Sequence, residues 1–297
     1  MKKLVKNFIS ALVKLNNIDN IISAKLKIQD LNRTQTGKIT SEQNVCDSDV
    51  VVSVTTYSKR IHDIHLVIES IGRQTVLPNR VVLWLDENEF ESIEALPIRI
   101  KNLISRGLEV KFCENLRSYK KLVPSLKFFP NSNIVTVDDD IIYPDDMIEI
   151  LISEHLKYPG TIIGHRAHLI TLDDHNNPKK YNDWIKNVSE GVRGDKVFIT
   201  TGGGTFFPKQ ILNDEVLNQE VFMKYCPTAD DIWVRIMTKL SGVQCKRVDD
   251  TRSFKDRFYI LEESQDIGLF NTVNNRSNDE QFRALLKYYN INKNWQD

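Results

Sequence analysis

Two acidic stretches carry the chemistry this sequence offers. The first is Asp138-Asp139-Asp140, which follows Ile134-Val135-Thr136-Val137 and precedes Ile141-Ile142-Tyr143-Pro144. Three adjacent like charges repel, and a cation is the simplest neutraliser. Carboxylate oxygens are hard ligands that suit Mg²⁺ or Mn²⁺, and such an ion can in turn hold a diphosphate. Side chains alternate along an extended segment, so Asp138 and Asp140 fall on one side and Asp139 on the other. An acidic triplet alone reads equally well as a solvated turn. Here it ends an apolar strand, and in open α/β sheets ligands gather beyond the carboxyl ends of the strands, which favours a site.

The second stretch is Thr228-Ala229-Asp230-Asp231. Thr228 and Asp231 have the spacing of a capping box, which needs no chemistry. A helix N-terminus also favours an ionised carboxylate, and one aimed into a cleft takes a proton from a hydroxyl nucleophile. Local sequence leaves both readings open. Asp86 ends an apolar run, and Thr55, Thr56 and Tyr57 end another. A carboxylate there accepts from a uracil N3–H and an aromatic stacks on a base; the plain alternative is a polar strand end. Arg60, Lys120 and Lys121 could hold a diphosphate or form a solvated face. Gly202-Gly203-Gly204 allows a close backbone approach or forms a flexible loop. Neither GxGxxG nor GxxxxGK[ST] occurs, and HExxH is absent. His165 and His168 read as loop residues.

The elements that must position these groups alternate. Val50–Thr56, Arg80–Leu85, Leu108–Phe112 and the run before Asp138 predict strands. Helical spacing covers Ile61 to Gly72, Ile98–Ser105, Tyr119–Phe129 and the segment from Pro144 to about His155. Short connections between alternating elements predict an α/β fold, a doubly wound, mostly parallel sheet with helices on both faces. Thr161–Gly164, Val197–Thr201 and Val243–Val248 predict further strands, His165–Asn187 a loop or inserted hairpin, Thr228–Leu240 a helix and Phe282–Tyr289 a last helix.

At the N-terminus, Leu4, Val5, Phe8, Ile9, Leu12 and Leu15 share a helical stripe that Lys2, Lys3, Lys6 and Lys14 mostly avoid. Residues 1–15 thus read as a peripheral membrane contact or as a helix packed on protein. Residues 31–48 are polar and predict a linker. The expected division is 1–45, leader and linker; 46–252, catalytic domain; 253–297, an extension packing on or near it. Among 297 residues, 40 Lys+Arg balance 40 Asp+Glu, which suggests no nucleic-acid partner. Four scattered cysteines, no secretory signal and no bilayer-length apolar run predict a cytoplasmic protein.

In this order the segments VVVSVTTYSKRI, RVVLWLDE, VDDDIIYP and TADDIW resemble the GT-A glycosyltransferases, in particular bacterial family-2-like enzymes of surface polysaccharide synthesis. The resemblance covers roughly residues 50–250. It implies a GT-A-like sheet and a nucleotide-sugar donor, UDP-linked, used with Mn²⁺ or Mg²⁺. It implies that Thr55, Tyr57 and Asp86 line the base, that Lys120 or Lys121 faces the diphosphate or the sugar, and that Asp138, with Asp139 beside it, touches the ribose or sugar. Asp140 would bind the metal together with Asp138. Asp231 would be the general base, flanked by Asp230, and Gly203 would border the cleft of a glycan acceptor, lipid-linked if the leader seats the enzyme on a membrane. No His follows His175, so a late metal ligand would come from a residue such as Asp249, Asp250 or Asp279. The expected reaction is inverting transfer to a glycan hydroxyl. The rivals are a retaining transferase and a non-catalytic glycan- or partner-binding module on the same fold.

Overall fold

The computed structural model describes residues 18–19, 21–33, 35–261, 275–291 and 295. The basic stripe over residues 2–15 lies outside them. The first helix covers 21–31 (α1). It is followed by β1 (Val50–Thr55), α2 (Ile64–Ile71), β2 (Arg80–Asp86), α3 (Ile98–Ile104), β3 (Leu108–Cys113), α4 (Val123–Phe128), β4 (Asn133–Val137), β5 (Ile141–Ile142) and α5 (Met147–Lys157). Next come β6 (Ile162–Gly164), β7 (Ala167–Leu169), β8 (Arg193–Gly194), β9 (Val197–Ile199), β10 (Gly203–Phe207), α6 (Gln219–Tyr225), α7 (Asp230–Leu240), β11 (Cys245–Arg247), α8 (Phe254–Arg257), β12 (Tyr259–Ile260) and α9 (Asn275–Tyr288).

The main sheet has eight strands in the order β3-β2-β1-β4-β10-β6-β11-β8. β1, β2, β3 and β4 pair in parallel, as do β6 and β11, while β10 is antiparallel to both of its neighbours. Central parallel strands are covered on both faces, which explains their unbroken apolar runs. Val50, Val52 and Val54 enter one core with α2 and α5, while Val51 enters another with Val82, Trp84 and Val234 of α7. The molecule is thus an α/β protein with helices on both sides of a mostly parallel sheet, as its alternating pattern predicts.

Four local expectations need correction. The helix expected over Tyr119–Phe129 is split: a 3₁₀ turn covers Arg117–Lys121, and α4 starts at Val123 with Pro124 in its first turn. Proline has no N–H to donate and is tolerated only at a helix start. The strand expected over Val197–Thr201 stops at Ile199 and pairs with β7 outside the main sheet. The three glycines are no flexible loop, because Gly203 and Gly204 open β10 in the middle of the sheet. The stretch expected as a linker is packed: Leu31 and Ile39 are buried in the core, and Ile39 N donates to the Arg106 carbonyl at 3.0 Å. At the other end, Phe282, Leu285 and Trp295 join a core with Trp233 of α7.

Candidate functional site

β4 delivers the acidic triplet to the carboxyl end of the parallel strands. The turn after it is built on Tyr143, whose side chain is fully buried. Its hydroxyl accepts from Asp138 N at 2.8 Å and donates to the Gly202 carbonyl, clamping the acidic turn to the start of β10. β5 pairs with β12, and Leu261 N donates to the Asp140 carbonyl at 2.8 Å.

The three carboxylates take different surroundings. Asp139 is turned inward, where Thr56 Oγ1 and Arg60 each donate to it at 2.6 Å. Burial holds its carboxyl above the usual range although Arg60 opposes this. Asp138 faces Lys121, which donates to its Oδ1 at 2.6 Å. Asp140 Oδ2 lies 3.2 Å from Arg60. Burial, reinforced by the neighbouring charge of Asp138, pushes Asp140 up to about 7. The alternation expected for an extended segment does not describe this turn: Asp139 and Asp140 share the Arg60 guanidinium, whereas Asp138 faces Lys121.

The second acidic pair opens α7. The capping box is not formed: the N-cap is Ala229 and makes no side-chain cap. Thr228 is taken up by Gln281 of α9, which accepts from its N–H at 3.0 Å and donates to its Oγ1 at 2.9 Å. The carboxylates instead meet Thr201. Thr201 N donates to Asp231 Oδ1 at 2.7 Å, and its hydroxyl lies 2.6 Å from that atom and 2.9 Å from Asp230 Oδ2. The Thr201 carbonyl accepts from Thr136 of β4 at 2.7 Å, which ties the start of α7 to the central strand.

Lys121 joins the two acidic stretches. Its ammonium, almost wholly buried, lies 2.6 Å from Asp138 and 3.1 Å from Asp230. Burial opposes its charge, but Asp138 and Asp230 outweigh that and hold it protonated. Asp230, resisted by burial, is kept below the usual carboxylate range by Lys121. Asp231 goes the other way: burial and the charge of Asp230 push it up to about 6. Two adjacent carboxyls thus differ, one held ionised by its ion pair and the other pushed toward its protonated form.

Glycine is required where these stretches cross. A Cβ on Gly202 would lie 1.6 Å from Asp138 Oδ2, inside the space of the carboxylate. On Gly203 it would meet Arg166 Cβ at 3.0 Å and the Phe254 ring at 3.4 Å. Gly204 has φ +85°, a left-handed backbone that favours glycine.

The remaining expected residues lie nearby with structural partners of their own. Thr55 Oγ1 donates to the Trp84 carbonyl at 2.9 Å. Asp86 is buried, and its Oδ1 accepts from Asn88 N at 2.9 Å, holding the turn after β2. The Arg60 guanidinium sits 5.5 Å from the centre of the Tyr57 ring. Lys120 is buried and acts on Cys113 at the end of β3, away from the Lys121 bridge. Of the residues considered as a late metal ligand, Asp249 pairs with Lys246, Asp250 with Arg252 and Arg257, and Asp279 accepts from Tyr181 N. Thr201 and Tyr143 hold the site together with Gly202 of the glycine run and, unlike that run, were not singled out by their residue types. The only sequence sign of them is a Thr before three glycines and a Tyr after the acidic run.

The acidic turn fits a divalent cation of the Mg²⁺ or Mn²⁺ type. It offers hard carboxylate oxygens from Asp138 and Asp140, two neighbouring like charges of the kind such a cation neutralises. Two carboxylates suffice where phosphate and water complete the shell. Among the described residues, three candidate ligand atoms gather within 4.8 Å only at Cys46, Asp47 and His155. That cluster lies at the opposite end of the sheet, and its Asp47 already accepts from Asn133 and pairs with Lys209.

No family model and no curated protein sequence matches the chain. Among solved structures it is similar to the mannosyltransferase PcManGT from Pyrobaculum calidifontis in complex with GDP-Man and Mn²⁺, at 15% identity and a TM-score of 0.43. That match covers 81% of this chain and 65% of the mannosyltransferase. The chain is also similar to CMP:2-keto-3-deoxy-manno-octonic acid synthetase complexed with CTP, at 8% identity and a TM-score of 0.40, over 69% of this chain and 91% of that one.

Proposed function

We propose that the protein is a metal-dependent glycosyltransferase that moves a sugar from a nucleotide-diphosphate donor, UDP-linked, to a hydroxyl of a glycan acceptor with inversion. The observation that carries this reading is the Lys121 bridge. One buried ammonium connects a cation-type acidic turn to a second acidic pair that includes a base near neutrality.

Asp138 and Asp140 would hold Mg²⁺ or Mn²⁺. When bound, the ion offsets charge on the departing diphosphate. Lys121 and Arg60 supply fixed positive charge on the same side. Thr55, Tyr57 and Asp86 lie at the carboxyl ends of β1 and β2, where a base would rest. Thr201 orients Asp231 by two bonds to one oxygen. In the transfer, the acceptor oxygen forms a bond to the anomeric carbon from the far side. Its proton passes to Asp231, and the bond to the diphosphate breaks with its electron pair. A single displacement of this kind inverts the anomeric centre.

The test has two arms. UDP or GDP with Mn²⁺ should raise the thermal midpoint of the wild type and leave Asp140→Ala unshifted. Asp231→Asn should lose about 10²- to 10⁴-fold in transfer rate, the usual worth of a general base. Nucleotide binding that ignores both manganese and Asp140 would end the donor assignment. Full transfer by Asp231→Asn would end the base assignment.

A further inference from the structure

A cleft of about 230 Å³ opens beside Gly203, on the side away from β1 and β2. Arg166 and Phe254 form the wall nearest the glycines, since both meet a Cβ placed on Gly203, as does Thr200 outside the lining. The cleft therefore adjoins the contact between Gly202 and Asp138. Its lining holds four cations, Arg166, Arg247, Arg252 and Lys255, against two carboxylates, Glu190 and Asp250.

Two of the four cations are partnered, and Lys255 is exposed. Arg252 and Asp250 pair at 2.9 Å, and Arg247 donates to the carbonyls of Val248 and Asp250 at 2.6 and 2.7 Å. Arg166 is different. Its Nε donates to Asn187 at 3.0 Å and its guanidinium lies 5.6 Å from the centre of the Phe254 ring. Among the described residues it has no carboxylate within ion-pair distance. A second cation stands close by. The ammonium of Lys186 is buried without a hydrogen-bond partner, 3.1 Å from the centre of the Tyr181 ring. Burial, with Arg166 beside it, holds Lys186 down to about 8, and the same two causes hold His168 down to about 3. Thr200 N donates to the Arg166 carbonyl at 3.1 Å, and N of the next residue, Thr201, donates to Asp231 at 2.7 Å, so base and cations share one region.

A guanidinium braced on an aromatic ring, with its Nε already fixed, presents its outer fork to a planar or tetrahedral oxyanion. We propose that the acceptor carries a phosphate or carboxylate group, which Arg166 receives in this cleft while the reacting hydroxyl faces Asp231. This rests on the transferase reading above and adds the class of acceptor to it.

The test uses glucose, glucuronate and glucose 6-phosphate as probes, titrated calorimetrically into the full chain with UDP and Mn²⁺ at low salt. Each charge-assisted contact is worth roughly a factor of ten to a hundred in affinity. At least one acidic probe should bind tenfold or more tightly than glucose, and which one identifies phosphate or carboxylate. Arg166→Ala should bring the acidic-to-neutral ratio close to one, and Arg166→Lys should restore part of it. Arg166→Gln replaces the alanine variant if that does not fold. Equal binding of acidic and neutral probes by the wild type, or a ratio unchanged in the Arg166 variants, overturns the proposal. Manganese-dependent stabilisation by UDP, followed in the same samples, separates the two readings. If it holds while the acid preference is missing, this inference fails alone. If it is missing while acidic probes bind through Arg166, the anion cleft stands and the donor assignment falls.

Discussion

Gly202→Ala adds one methyl group and changes no charge, yet it should disable the donor side. The new Cβ would fall 1.6 Å from Asp138 Oδ2 and 2.0 Å from its Cγ, so the carboxylate has to leave its place. Leaving breaks the 2.6 Å bond from Lys121, a charge-assisted contact worth roughly 1.5–3 kcal/mol when partly buried. Asp138 is 39% exposed and regains water, and Lys121 keeps Asp230 at 3.1 Å, so the fold survives. The expected loss of stability is about 1–2 kcal/mol, read from the urea midpoint at constant m-value. Binding suffers more, because one of two carboxylates that would face the cation is displaced. Manganese-dependent affinity for UDP or GDP should fall about ten- to a hundredfold, equivalent to 1.4–2.8 kcal/mol in a calorimetric titration. Gly37→Ala is the control, since a Cβ there meets nothing within 4 Å. If Gly202→Ala binds nucleotide and manganese as the wild type does, Asp138 is not needed where the structure places it.

Other perturbations probe the same framework. Asp231, pushed up to about 6, must lose its proton to act, so kcat/KM should rise with pH through about 6 and level off above. The same shift has a stability sign. The folded state binds more protons than the unfolded chain between the ordinary carboxyl value near 3.8 and about 6, so this group's contribution falls as pH rises through that window. The pH dependence of the denaturation midpoint in Asp231→Asn, against wild type, checks that sign. Lys121→Met leaves Asp138 and Asp230 without their shared cation and should cost about 3–5 kcal/mol at pH 7.5, as removing one member of a buried pair does. That cost should shrink at pH 4.5, where carboxyls protonate more readily, and equal losses at both pH values would contradict it. Tyr143→Phe removes the hydroxyl shared by Asp138 N and the Gly202 carbonyl and should cost about 1–3 kcal/mol in a denaturant titration.

What was readable in the sequence was local. Apolar runs such as Val50–Thr55 and Asn133–Val137 form strands because both of their faces are covered. Asp138 to Asp140 stand where a strand ends, but the turn there sets Asp139 and Asp140 together on Arg60 and Asp138 on Lys121, a division that alternation does not give. The pieces that escaped depend on partners distant in the chain. β10 begins with Gly203 and Gly204, residues that weaken any local strand signal, and its register is set by β4, met from the opposite direction. Thr228 has a capping-box spacing, but Gln281 of α9 takes both of its polar groups, and Thr201 takes the carboxylates that follow. Lys120 and Lys121 are neighbours of identical type, and only the 3₁₀ turn that carries them sends one between Asp138 and Asp230 and the other toward β3. These misses share a cause. Each missing piece depends on a contact between segments far apart in the chain, β4 with β10, Thr228 with α9, or Lys121 with α7, and no periodicity encodes such a spacing. The carboxylates are supplied by the chain locally, whereas the difference between Asp230 and Asp231, on which a base near neutrality depends, is created by Lys121 and by burial once the sheet has closed.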